Sequence, residues 1–161
     1  MTFTLTSADF TDGDILPDAQ VYALGNASPQ LSWSGAPEGT KSFAITCYDP
    51  DAPTGSGFWH WTVANIPADV TELAQGAGNQ KEANLPARAI QGRTDFGQAG
   101  YGGAAPPAGH GPHRYIFTVF AVDVESLDVS ADDSGAVYGF NLHFHTLAKA
   151  SITATYENKG A

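Results

Sequence analysis

A single cysteine leaves no internal disulfide framework to hold the fold. Cys47 lies in the apolar run from Ser42 to Tyr48, where it reads as a small buried hydrophobe and not as a reactive thiol. Basic residues are scarce too: 7 Lys and Arg face 17 Asp and Glu, a formal net charge of −10. A field of that sign repels phosphate backbones and anionic membrane surfaces, which excludes nucleic acid as a partner. Any anion that binds must therefore be held by local donors. No apolar stretch approaches the roughly 18 residues that a membrane span needs. The opening Met1-Thr-Phe-Thr-Leu has neither a basic start nor an apolar h-region, so no signal peptide is expected and the location follows as cytoplasmic. Internal repeats, low-complexity tracts and charge runs are absent as well.

What is present suits one folded domain spanning 1–161. The composition is 42% hydrophobic and 11% aromatic, with only 15% charged residues, the opposite of a disordered chain. Glycine (18) and proline (10) are scattered without a period, which implies many turns between short strands. The run 43–48 (Phe-Ala-Ile-Thr-Cys-Tyr) is β-branched and aromatic and ends at Asp49-Pro50, so it predicts a strand. Trp59 to Ile66 predicts another, stopped by Pro67. Tyr115 to Val122 is apolar on both faces, as in the middle of a covered sheet. Ser151 to Tyr156 reads as a short last strand. Leu142, His145, Leu147 and Ala148 fall at helical spacing and predict one C-terminal helix over 141–150. The economical architecture is mainly β: two antiparallel sheets with one or two short helices at the edge. Between the strands, the turn-rich stretch from Asp95 to Pro112 is long for a compact domain, and such loops usually carry function.

Three segments gather polar side chains at strand ends. The first is Asp-Pro-Asp-Ala-Pro at 49–53. Phe43, Ile45, Cys47 and Asp49 share one strand face, so Asp49 extends an inward row. Both Asp49 and Asp51 also suit plain turn caps through Asx hydrogen bonds. The second is Phe-Trp-His-Trp at 58–61. Strict alternation puts His60 on the face of Thr62 and Ala64, with Trp59, Trp61 and Val63 on the other. A histidine between tryptophans also suits a core residue satisfied by one hydrogen bond. The third is His110-Gly-Pro-His-Arg-Tyr115, with His113 and Tyr115 on one side and Arg114 on the other. Arg114 suits binding an anion, but a structural role is favoured, pinning loop carbonyls or a carboxylate such as Asp95.

Catalytic alternatives find little support. There is no Gly-x-Ser-x-Gly elbow for a serine nucleophile. His110 and His113 are three apart, but on a Gly-Pro loop and not on a helix that would align both rings, so no metal is expected. Gly100-Tyr-Gly-Gly103 lacks the Lys and Ser/Thr of a phosphate loop. Asp49 and Asp51 are too close in sequence to flank a glycosidic bond. The chain is read as a non-enzyme without cofactors.

The order of the segments is informative. Asp-Pro-Asp-Ala-Pro, then Trp-His-Trp running into Val-Ala-Asn-Ile-Pro, then Gly-Tyr, Pro-Pro and His-Arg-Tyr resembles the phosphatidylethanolamine-binding protein family. Ser28 to Pro37, Gly39 to Phe43, Gly92 to Gly97 and the terminal Ala154-Thr-Tyr156 are similar to its prokaryotic, Raf-kinase-inhibitor-like branch. The resemblance runs from about Gly25 to Tyr156. It implies an antiparallel β-sandwich with a ligand pocket at one end of a sheet, formed by Asp49, Pro53, His60, His113 and Tyr115, with Tyr101, Ala105 and Pro106 in the rim loop. It implies binding of a phosphorylated or anionic head group, phosphatidylethanolamine among them, or alternatively inhibition of a partner protease or kinase; a homodimer stays open.

Two imidazoles beside a carboxylate are expected to favour their protonated, doubly donating forms, which suit phosphate oxygens. Asp49 could then orient a ring or accept from an ammonium. The crowded turns at 49–53 and 104–107 are where a cis X–Pro bond is expected, before Pro53 above all.

Overall fold

The computed structural model describes residues 2–160. Eight strands and one α-helix follow in the order β1 (Thr4–Thr6), β2 (Leu31–Ser34), β3 (Ser42–Asp49), β4 (Phe58–Pro67), β5 (Glu72–Leu73), β6 (Ile90–Gln91), β7 (His113–Val122), α1 (Gly135–His145) and β8 (Thr146–Tyr156). They form two antiparallel sheets, a small one ordered β1-β2-β5 and a large one ordered β6-β4-β3-β7-β8.

The strand pattern explains the layering. Ile45, Cys47, Trp61, Val63, Phe117, Val119 and Ile152 project from the large sheet against Leu5, Leu31, Trp33 and Leu73 of the small one, which makes the main core. On the opposite face Ala44, Ala64 and Val122 pack under Tyr138 and Leu142 of α1. Both faces of β3 and β7 are thus covered, as their continuous apolar runs require.

The helix lies earlier than the expected 141–150. Ser134 caps it by accepting the Val137 N–H, and it ends at His145. From Thr146 the backbone pairs with β7, Ala148 opposite Ala121 and Ala150 opposite Val119, so the last strand is 11 residues long and not a short tail. Helical spacing could not reveal that the open edge of β7 offers Thr146 and Ala148 to Ala150 ladder partners, with Leu147 bulged between them. The expected cis bond is also not found: every described peptide bond is trans, the one before Pro53 included. The turn is closed instead by the Asp49 carboxylate, which accepts the Asp51 N–H at 2.7 Å.

Candidate functional site

At one end of the large sheet lies a cavity of about 220 Å³. Asp49, His60, His113 and Tyr115 supply its polar groups, while Ala52, Pro53, Phe58, Phe96, Ala105, Pro106 and Pro107 make most of its wall. Sequence candidates Asp49, Pro53, His60, Ala105, Pro106, His113 and Tyr115 therefore meet in one place. Tyr101 does not join them. Its ring is buried against Trp61 at 5.6 Å, and its hydroxyl donates to the Gln20 carbonyl at 2.8 Å. It is part of the core beneath the loop.

His60 arrives by a route that strict alternation misses. In β3 and β4, Cys47 pairs with Trp61 but Tyr48 pairs with Trp59, so one extra residue, His60, is inserted. This bulge turns His60 to the inner side with Phe58 and Trp61, and not to the face of Thr62 and Ala64. Asp95 holds the neighbouring backbone: its carboxylate accepts the Trp59 N–H at 2.8 Å and its own N–H donates to the Trp59 carbonyl at 3.0 Å. Asp95 therefore does not serve Arg114. That guanidinium instead meets Asp51 through two hydrogen bonds of 2.8 and 3.0 Å. Asp51 is consequently more than a turn cap, and this bridge lowers its carboxyl to about 2.

The polar floor is already heavily paired. His113 Nδ1 lies 2.7 Å from Asp49 Oδ2, and both side chains are almost fully buried. Because the carboxylate accepts, that nitrogen carries the proton. The other nitrogen of His113, Nε2, meets His110 Nδ1 at 2.6 Å. Two nitrogens on a tetrahedral metal would stand roughly 3.3 Å apart, so this contact has the spacing of a hydrogen bond and not of a ligand pair. Both oxygens of Asp49 are engaged, one by His113 and one by Asp51, so its expected availability to an ammonium is reduced.

His60 Nδ1 lies 2.9 Å from the Gly102 carbonyl and so donates to it, which leaves Nε2 as the ring's other polar atom. Burial pushes its pKa below the ordinary imidazole value, outweighing the opposing pull of that carbonyl and of Asp49. The expected protonation of both rings thus fails at His60, where desolvation wins. Tyr115 packs edge-on to His60, centroids 5.2 Å apart. Its hydroxyl is buried and makes no hydrogen bond of regular geometry; the Ala105 backbone approaches it and can only donate to its oxygen, so the hydroxyl proton is left without an acceptor. Burial first, then the charge of Asp49, raises its pKa far above the ordinary phenol range, so it remains an O–H donor.

Phe58, Phe96, Pro107, Ala52 and Thr54 line the cavity without having been singled out. Phe58 was within reach, because it stands opposite Asp49 in the ladder. Phe96 lay inside the Gly92–Gly97 segment, but only folding brings that loop over His60.

Residues 6–157 match the family model described as phosphatidylethanolamine-binding protein. YbhB of Escherichia coli (strain K12) is 57% identical over 157 residues, covering 94% of this chain and 98% of YbhB. YbcL of the same organism is 52% identical over 162 residues, covering 98% and 88%. The crystal structure of YbcL, described as a new member of the mammalian PEBP family, matches with a TM-score of 0.95, 51% identity and coverage of 98% and 99%. A PEBP homologue from Chlamydia trachomatis, CT736, matches with a TM-score of 0.82, 29% identity and 98% coverage of both chains.

Proposed function

This chain belongs to the phosphatidylethanolamine-binding protein family, and we propose that its cavity is a non-catalytic binding site for a small phosphorylated or otherwise anionic head group that carries an apolar portion. The observation that carries this proposal is the Tyr115 hydroxyl, a buried donor whose proton finds no acceptor of regular geometry within the protein, in the cavity that also holds His60. A buried polar group left unpaired costs about 1–3 kcal/mol, which an accepting ligand oxygen recovers. His60 Nε2 complements it: on a neutral ring it accepts, which suits a head group retaining one acidic proton. The proline and phenylalanine walls exclude water and leave room for a short alkyl or glyceryl part.

A non-catalytic role is supported by the lack of an activated nucleophile. The Thr54 hydroxyl donates to the Gly57 carbonyl. The Cys47 thiol is fully buried and pushed well up by desolvation and by Asp49. Neither hydroxyl nor thiol is paired with a histidine base.

Calorimetric titration with glycerophosphoethanolamine and with inorganic phosphate tests the proposal. Binding is expected in the wild type and a loss of about tenfold in Tyr115→Phe, one hydrogen bond to a charged acceptor. Unchanged affinity in Tyr115→Phe and His60→Ala would place the site elsewhere. Turnover of a phosphoester lost in the same variants would make the protein an enzyme.

A further inference from the structure

His110 lies outside the cavity wall and is exposed, yet it makes the shortest side-chain contact to the buried floor: its Nδ1 is 2.6 Å from His113 Nε2. At that distance one proton lies between the two nitrogens, because two N–H groups would collide and two lone pairs would repel. His113 Nδ1 is held protonated by Asp49 at 2.7 Å. The three side chains therefore form one chain, Asp49–His113–His110, leading from a buried carboxylate to solvent.

We propose that His110 and His113 titrate as a single unit, with exposed His110 as the proton entry that sets the charge of the cavity floor. In the neutral pair, His110 donates through Nδ1 and has a lone pair at Nε2. A proton from solvent binds that Nε2, and the contact to His113 is kept and strengthened by the charge. The same charge can appear on His113 if the shared proton crosses to its Nε2, which leaves His110 neutral with Nε2–H and an accepting Nδ1. In either form the pair holds one added proton. A second would set N–H against N–H and force the rings apart.

The consequence is electrostatic. With the pair neutral, Asp49 gives the floor a net charge of −1; with the pair protonated, the net charge is zero. The other ionisable groups around it leave this balance standing. Asp51 and Arg114 neutralise each other in a bidentate pair. His60 is biased towards its neutral form, and Tyr115 and the Cys47 thiol are held protonated. From the last strand Tyr156 stands opposite His113, followed by Glu157. Asp95 is turned to the Trp59 backbone. His110 is thus a positioning residue: it touches His113, not the ligand, and acts through it.

This inference rests on the proposed anion site only for its second readout. Nitrogen NMR of the ligand-free protein reads the coupling directly. The two rings are expected to share one midpoint, with His113 Nδ1 protonated throughout. In His110→Ala, whose side chain is exposed, the His113 midpoint should move to lower pH, since its Nε2–H would lose its acceptor. His143→Ala, an exposed histidine on α1, should leave it in place. Sulfate, whose charge stays fixed over this range, is the binding probe. Its affinity should fall about tenfold as the pH rises through the shared midpoint, as one unit of nearby charge implies, and in His110→Ala that fall should move to lower pH together with the His113 midpoint. An unmoved His113 midpoint in His110→Ala overturns the coupling. Sulfate that fails to bind at any pH, with the coupling observed, overturns the anion site and leaves the proton relay standing.

Discussion

Asp51 holds Arg114 by main chain and side chain together. Its Oδ2 accepts the Arg114 backbone N–H at 2.9 Å and the Nε–H at 3.0 Å, while Oδ1 accepts Nη2–H at 2.8 Å. The turn carrying Pro53 is thereby tied to the start of β7, one residue from His113, so the bridge fixes the separation of two walls of the cavity.

Arg114→Lys should keep the charge but lose the fork. A lysine offers a point charge without the planar pair of donors. Arg114 is exposed, so only a small destabilisation is expected from urea unfolding. Its pH sign follows from the lowered Asp51: the contribution is present above the ordinary carboxylate value of 3.8 and is lost as the pH falls towards about 2. A wild-type and variant difference that persists undiminished in that acid range would contradict it.

Gly135→Ala tests how α1 is seated. Alanine favours helix by up to about 1 kcal/mol over glycine. Here a Cβ at Gly135 would stand 2.2 Å from Trp59 Cγ, so the helix start must lift from β4. Net destabilisation of about 1–3 kcal/mol is expected from overpacking. A variant that is more stable than the wild type would show that Trp59 yields freely.

His60 should make the fold acid-sensitive. Its folded pKa is depressed, so the unfolded chain binds the proton more readily. Stability is therefore complete above about 6.5, the ordinary imidazole value, and falls as the pH drops, by up to about 1.4 kcal/mol per pH unit for one proton. His60→Asn can retain the donor to Gly102 but does not titrate. Urea unfolding between about pH 7 and 5 should show a shallower loss in this variant. Equal slopes would mean that His60 accepts its proton in the folded state.

Tyr101→Phe should weaken the fold and leave anion binding alone. Deleting the hydroxyl strands the buried Gln20 carbonyl, at a cost of about 1–3 kcal/mol. Thermal unfolding and calorimetry on the same sample separate the effects. Affinity lost in proportion to Tyr115→Phe would return Tyr101 to the site.

The sequence by itself determined the covered strands and the family. The apolar run on both faces of 115–122 can be buried only in the middle of a sheet with layers on each side, and β7 is found there; 43–48, read only as a strand, proves to be its equally covered neighbour β3. The ordered motifs carried Asp49, His60, His113 and Tyr115 to one cavity. What tertiary structure alone decided are matters of register and reach. The bulge that turns His60 inward exists because β3 and β4 pair with unequal residue counts, which no single-strand periodicity encodes. The passage from α1 into β8 at Thr146 depends on the free edge of β7, and so on a strand more than twenty residues earlier. The sequence suggested Asp95 as a carboxylate for Arg114, and only the fold shows that the partner is Asp51, because charges attract at any spacing until the fold sets the distance. The His110–His113 contact was likewise visible only as a spacing of three. Its 2.6 Å separation, and hence the shared proton, comes from the way the loop folds back over the start of β7.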